Sequence, residues 1–247
     1  MPSVDLWSSV FGLAMLLIGA VVFAFSGRHV WRAITVRRAT QSESIQSADP
    51  GTLRSLTGTV EPGDSGLLTA PFSGRDCVAL RYAAEERRLT PAILLRFVTI
   101  HETAGSVAFR LRTAADVVDV DRSVRTVSLE RDTIATVPAD ANPPDRVTQF
   151  ERTVSGYPQT TRWRTPPAIL RPLFTTLSLG TRRYTEQRAT RGDTITIVGR
   201  VADAGIDPVV VSDATPATTA SRMARTSLGG IAIGVGSVLL GALVLTL

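Results

Sequence analysis

The sequence contains no lysine: all 27 of its basic residues are arginine. Uniform arginine usage reads first as a genome rich in G+C, as in a haloarchaeon or a high-G+C bacterium, and only second as a selected binding surface. Cysteine is almost absent. Cys77 stands alone, so no internal disulfide can form. Histidine is nearly as scarce, with only His29 and His101, and one Cys with two His cannot build a four-ligand structural zinc site of the usual kind. Aromatic residues make up 6% of the chain, too thin a supply for a continuous base-stacking platform, and Trp163, Tyr157 and Tyr184 are scattered.

Two stretches lack charge altogether. Leu6 to Phe25 and Leu228 to Leu247 are uncharged runs of 20 residues each. As helices each would extend about 30 Å, the thickness of a hydrocarbon core. They are expected to be transmembrane helices, giving a two-pass protein with the lipid bilayer as its first partner. Asp5 precedes the first run and no arginine does, which favours a retained anchor over a cleaved signal peptide. Arg28, Arg32, Arg37 and Arg38 follow it, and Arg222 and Arg225 precede the second. By the positive-inside rule this places the middle in the cytoplasm and both termini outside a cell membrane, with Trp7 and Trp31 at the interface. Gly230 and Gly234, with Ala20 and Ala24, are candidates for close helix contact.

The resulting division is 1–27 for the first membrane helix and 28–52 for a basic juxtamembrane segment and linker. A β domain follows over 53–212, a linker over 213–227 and the second membrane helix over 228–247. Within 53–212 the pattern is of short strands broken by turns. Strands are expected at 53–60, 66–70, 77–86, 94–101, 106–111, 117–120, 124–129, 133–137, 183–188, 194–202 and 209–212. A hairpin-like turn is expected at 102–105. Asp145 to Ser155 reads as the one short helix, capped by Asp145, with Val147, Phe150 and Val154 near one face. Residues 157–180 hold Pro158, Pro166, Pro167 and Pro172 and read as an irregular excursion. The expected fold is mainly β, a small, partly open barrel-like domain with one short helix, flanked by two transmembrane helices.

Four ordered segments resemble the GIDE, or beside-a-membrane, domain. It is known from membrane-anchored E3 ubiquitin ligases of mitochondria and chloroplasts and from prokaryotic relatives. Gly58-Thr59-Val60 opens the domain. Ala70-Pro71, then Asp76-Cys77-Val78-Ala79-Leu80-Arg81-Tyr82, is similar to a second family segment. Phe97 with Glu102-Thr103-Ala104-Gly105-Ser106-Val107 is similar to a third, with Glu102 and Ala104 where the family usually has Asp and Thr. Tyr184-Thr185-Glu186, Gly192-Asp193 and Ile197-Val198-Gly199-Arg200-Val201 are similar to the fourth.

The resemblance singles out Pro71, Cys77, Tyr82, Glu102, Gly105, Tyr184, Glu186, Gly192, Asp193 and Gly199 as structural or partner-binding positions, with no catalytic or metal role. It implies a recruitment module with an unknown protein partner and no cofactor. A RING domain needs eight ligands of the Cys/His type, and this chain has three such residues in all. An E3-like role would therefore require a separate catalytic partner.

The remaining chemical alternatives are weaker. Cys77 as a nucleophile competes with a small buried hydrophobe. His101-Glu102 is half of a zinc-protease motif with Gly105 where the second His belongs. Glu85-Glu86 suits a solvated strand end better than acid chemistry. A membrane enzyme with an unrecognised site is the third function class. Arg162, Arg164, Arg171, Arg182, Arg183, Arg188 and Arg191 suit anionic lipid headgroups better than nucleic acid. Such headgroups attract each nearby basic residue by about 1 kcal/mol.

Overall fold

A computed structural model describes residues 6–37, 40–41, 44–45, 48–90, 94–124, 126–202 and 205–246. It divides into a helical unit, Met1–Thr40 with Ala214–Leu247, and a β unit, Gln41–Asp213.

The helical unit holds α1 (Leu6–Arg37) and α4 (Pro216–Thr246). Helix α4 begins inside the expected linker. Proline is tolerated in a first turn because its missing N–H has no intrahelical partner there anyway. The Thr218 amide donates to Thr215 Oγ1 at 3.4 Å just before it, as a capping hydroxyl does.

The helices meet antiparallel on glycine. A Cβ at Gly12 would lie 2.7 Å from the Leu245 side chain, and one at Gly19 would lie 2.8 Å from the Gly234 carbonyl oxygen. A Cβ at Gly241 would lie 2.8 Å from the Gly12 oxygen. The contact thus uses Gly12 and Gly19 against Gly241 and Gly234, two glycines seven residues apart on each helix, which keeps both on one stripe. Ala20 and Ala24, expected at this contact, are exposed, and no structural account of Gly230 falls within the described side chains. Outward residues such as Leu17 and Leu239 are exposed.

Among the described residues, no helix is long and apolar enough to cross a membrane. This corrects the expectation of two transmembrane helices, and with it the two-pass cell-membrane placement of a cytoplasmic domain between outside termini. The described side chains of the two runs are Ser9–Phe25 and Ile231–Thr246, each shorter than the 20 residues read from the sequence. The finding concerns helices and assigns the chain no compartment. The side chains of residues 28–40 and 219–230, on which the orientation rested, lie outside the described ones.

The β unit is built from three sheets. The largest has seven strands. It contains β1 (Thr40–Gln41) and, in spatial order, β8 (Val117–Val120), β7 (Phe109–Arg112), β2 (Leu53–Pro62), β12 (Thr194–Ala202), β13 (Gly205–Ser212) and β9 (Val127–Ser128). A four-stranded antiparallel sheet follows the order β10 (Asp132–Val137), β11 (Arg182–Ala189), β5 (Ala79–Leu89) and β6 (Leu95–Ser106). Strands β3 (Leu68–Thr69) and β4 (Asp76–Cys77) form a small ribbon. Helix α2 (Asp145–Thr153), a 3-10 turn at Ala168–Leu170 and α3 (Arg171–Thr176) complete the unit.

Among the described residues the chain is thus mainly β, with three sheets and four helices, but the expected barrel is corrected. The hydrogen-bonded path of the large sheet ends at β8 and β9, and that of the second sheet at β10 and β6, so the sheets do not close into a barrel. Closure needs the first and last strands of one sheet to pair, and here the strands are shared between separate sheets.

Three expected boundaries also move. No turn interrupts residues 102–105. Strand β6 runs through them, pairing Glu102 with Ala83 and Gly105 with Leu80, and the Arg81–Glu102 ion pair at 2.9 Å fastens the two strands. Asp145 does not cap α2; Pro144 holds the cap position, and Asp145 starts the helix, where its charge suits the positive end. Strand β13 starts at Gly205, four residues early, although it contains Pro208. The register shift between Val198 and Gly199 leaves Val209 unpaired as a bulge next to Pro208, which lies opposite Gly199.

Two cores result. Leu56, Val60, Phe109, Leu111, Val118, Val120, Ile195 and Ile197 pack under the large sheet, following the two-residue alternation of their strands. Phe72, Ala84, Val137, Val147, Phe150, Tyr157 and Tyr184 form a second core between the four-stranded sheet and α2. Edge-to-face rings dominate it, with Phe72 centred 4.8 Å from Phe150 and 5.2 Å from Tyr184.

Candidate interaction site

Strand β11 points Arg182, Tyr184, Glu186 and Arg188 to one side, because alternate residues share a face. All four are buried or nearly so. A charge placed there survives only if it is paired and hydrogen-bonded, and each one is. Glu186 accepts from the Phe72 amide at 2.7 Å, the Ser73 amide at 3.1 Å and the Ser73 hydroxyl at 2.6 Å. Arg188 pairs with the same carboxylate and with Asp132. Thus Glu186 fastens the turn after Pro71 to the sheet.

Arg182, fully buried at 0% exposure, donates to Glu151 at 2.8 Å and to the Gln159 carbonyl at 3.1 Å. Its guanidinium lies 5.1 Å from the Tyr157 ring centre and 3.5 Å from Glu86. Tyr184 donates to Glu151, and so does Tyr157 at 3.0 Å. Burial, then the hydrogen bond to Glu151, pushes the Tyr184 phenol up to about 12. Burial likewise raises Tyr157. Glu86, also fully buried, accepts from Thr161 Oγ1 at 2.7 Å. Helix α2 and the start of the 157–180 segment are therefore pinned to β11 and β5 by buried polar bonds.

Beyond these pins the segment rises from the sheet and returns at Gly180. Gly180 has φ +77°, and a Cβ there would sit 2.3 Å from the Trp163 carbonyl oxygen. Its amide donates to the Arg87 carbonyl at 2.9 Å. Glycine is thus required at the base of the loop.

Between the limbs lies a cavity of about 440 Å3, walled by Pro138, Ala139, Trp163, Arg164, Arg171 and Phe174 among others. The Trp163 and Phe174 rings stack with centres 5.8 Å apart and planes at 28°. The Arg162 guanidinium lies 5.8 Å from the centre of the Trp163 ring. Arg164 donates to the Ala139 carbonyl at 3.3 Å. Among the described residues, Arg162, Arg164 and Arg171 form no ion pair. On the same segment, between the lining residues Pro166 and Phe174, Ile169 is 87% exposed and Leu173 54%, with Leu170 between them at 41%.

The residues singled out in the sequence lie elsewhere, in places that hold the fold. Cys77 is buried on β4 among Ala70 and Leu80, and burial first, then Glu186, pushes its thiol up to about 11. A thiol so placed is a poor nucleophile at neutral pH. Tyr82 packs edge-on to Phe72 and stacks on His101. Glu102 pairs with Arg81. Gly192 has φ +88°, and Asp193 accepts from the Thr190 amide and hydroxyl at 2.7 and 2.8 Å to close that turn. A Cβ at Gly199 would lie 2.5 Å from the Asp207 oxygen, so this glycine lets β12 and β13 approach. Glu85 and Glu86 are not at a solvated strand end. Both are buried and paired with arginines.

Neither a family model, nor a curated protein, nor a solved structure gives a significant match to the chain. Of the cavity's surroundings, sequence reasoning had found Trp163, Arg162, Arg164 and Arg171. It missed Phe174, Ile169 and Leu173. The available signal was an apolar cluster, Ile169-Leu170 and Leu173-Phe174, set between prolines and arginines.

Proposed function

We propose that the β unit is a recruitment module of GIDE-like kind and that it docks a partner protein on the face made by residues 157–180. The reading rests on one observation: the segment that holds Ile169 almost wholly in solvent also supplies Trp163 and Phe174 to the wall of a cavity. Large apolar side chains grouped in the open mark interaction sites, whereas single ones do not. A concave wall with a few convergent polar groups next to them is the form such sites take. The positions with motif resemblance serve as scaffold in this reading: Tyr184 meets Tyr157 at the start of the loop that presents the face, and Glu186 holds the turn after Pro71.

The test is crosslinking of the full chain in its host cells, comparing the native protein with the double variant Ile169→Asp/Leu173→Asp. Both positions are exposed, so the variant should keep the native melting temperature. A specific partner captured by the native chain and lost with the variant is the expected result. Equal capture by both would refute docking on this face.

A further inference from the structure

Resting on that docking face, we infer that its occupant is an acidic peptide segment with interspersed large apolar residues. The charge on the face is one-sided. Arg164 and Arg171 line the cavity against the single carboxylate of Asp140, and Arg162 stands beside them over Trp163. Among the described residues none of these three arginines has a carboxylate partner. Eight other arginines of the unit, Arg81, Arg88, Arg112, Arg122, Arg131, Arg182, Arg183 and Arg188, are each held by a carboxylate. Unpaired guanidiniums are preorganised forks for carboxylates.

The apolar requirement comes from the same few residues. Trp163 and Phe174 offer a stacked pair at the wall, and Ile169 and Leu173 of the same segment are exposed apolar side chains. Apolar side chains of the occupant fill the cavity while its carboxylates meet Arg162 and Arg171. Aromatic and Arg anchors of this kind carry most of the energy at protein interfaces.

The experiment measures fluorescence anisotropy of labelled short peptides with the full chain. The probes are one in which Asp and Glu alternate with Leu and Phe, a counterpart with Lys for each acid, and a counterpart with Ser for each Leu and Phe. Vesicles containing anionic phosphatidylglycerol form a separate arm. The acidic–apolar peptide should bind saturably. Arg162→Glu/Arg171→Glu should weaken it by roughly tenfold or more, as loss of charged hydrogen bonds does, and raised salt should weaken it too.

Equal binding of the Lys or Ser counterpart overturns the proposed chemistry. So does vesicle binding that depends on Arg162 and Arg171 when no peptide binds, which would assign the face to a lipid surface. Failure of all peptides with cellular capture still lost in Ile169→Asp/Leu173→Asp would leave the docking face standing and refute only the acidic occupant. Failure of both refutes the face.

Discussion

Glu186→Gln tests whether β11 organises this domain. The native carboxylate is fully buried and accepts four bonds, from the Phe72 amide, the Ser73 amide, the Ser73 hydroxyl and Arg188. Glutamine has nearly the same volume, so no cavity opens. It brings one acceptor oxygen in place of two and an NH2 that must face the donors of Ser73 or Arg188. Arg188 keeps Asp132, but it loses its buried counter-charge. Breaking a buried ion pair from one side costs about 3–5 kcal/mol, and each hydrogen bond to a charged group contributes about 1.5–3 kcal/mol. Part of the Ser73 interaction survives in the glutamine, so the expected loss is about 3 kcal/mol. For a chain of this size that lowers Tm by roughly 6–12 °C. Urea unfolding of both proteins gives the difference directly. Hydrogen exchange gives its location, because the Phe72 and Ser73 amides should lose protection before the amides of β12. A loss below about 1 kcal/mol, or unchanged protection at Phe72, would refute the view that this carboxylate clamps the turn.

Other outcomes follow from the same geometry. Arg182→Met alone should cost about 3–5 kcal/mol, because Glu151 loses its arginine and buried Glu86 is left with Arg88 alone, whereas adding Glu86→Gln should recover part of the loss in a urea-melt cycle. Gly180→Ala should destabilise by about 1–3 kcal/mol, since it combines a strained φ with a collision against the Trp163 carbonyl, and thermal melts report it. Stability should fall at alkaline pH. Burial pushes the folded thiol of Cys77 up to about 11 and the Tyr184 phenol up to about 12, above the ordinary 9.0 and 10.0 of these groups. The unfolded chain therefore gives up these protons first, so stability declines from about pH 9 towards pH 12, and urea midpoints across that range measure it. At pH 8 the same thiol should resist alkylation until the chain is unfolded in urea.

Several elements were legible in residue order alone. The alternation Thr194-Ile195-Thr196-Ile197 gives β12 with its expected ends, because a half-buried strand prints its period on the sequence. Val147 and Phe150 mark the buried face of α2 for the same reason. Other elements were misread where local and long-range preferences disagree. Glu102-Thr103-Ala104-Gly105 has the composition of a turn, yet eleven paired positions along β5 and β6 carry it through as strand. Pro208 reads as a breaker until the bulge at Val209 accommodates it. The uncharged terminal runs showed two long helices. They did not show which glycines would meet, nor did they justify two membrane spans.

The sequence by itself determined the mainly β middle, the helical ends and what the chain cannot build, since composition excludes a RING and a disulfide without reference to any fold. The tertiary structure alone decided how the arginines divide. Arg182 and Arg188 lie buried in ion pairs, whereas Arg162 and Arg171 are left without carboxylate partners beside Trp163 and Ile169. In one dimension these arginines are equivalent. Their difference comes from Glu86, Glu151 and Glu186, which the fold brings next to two of them and to neither of the others.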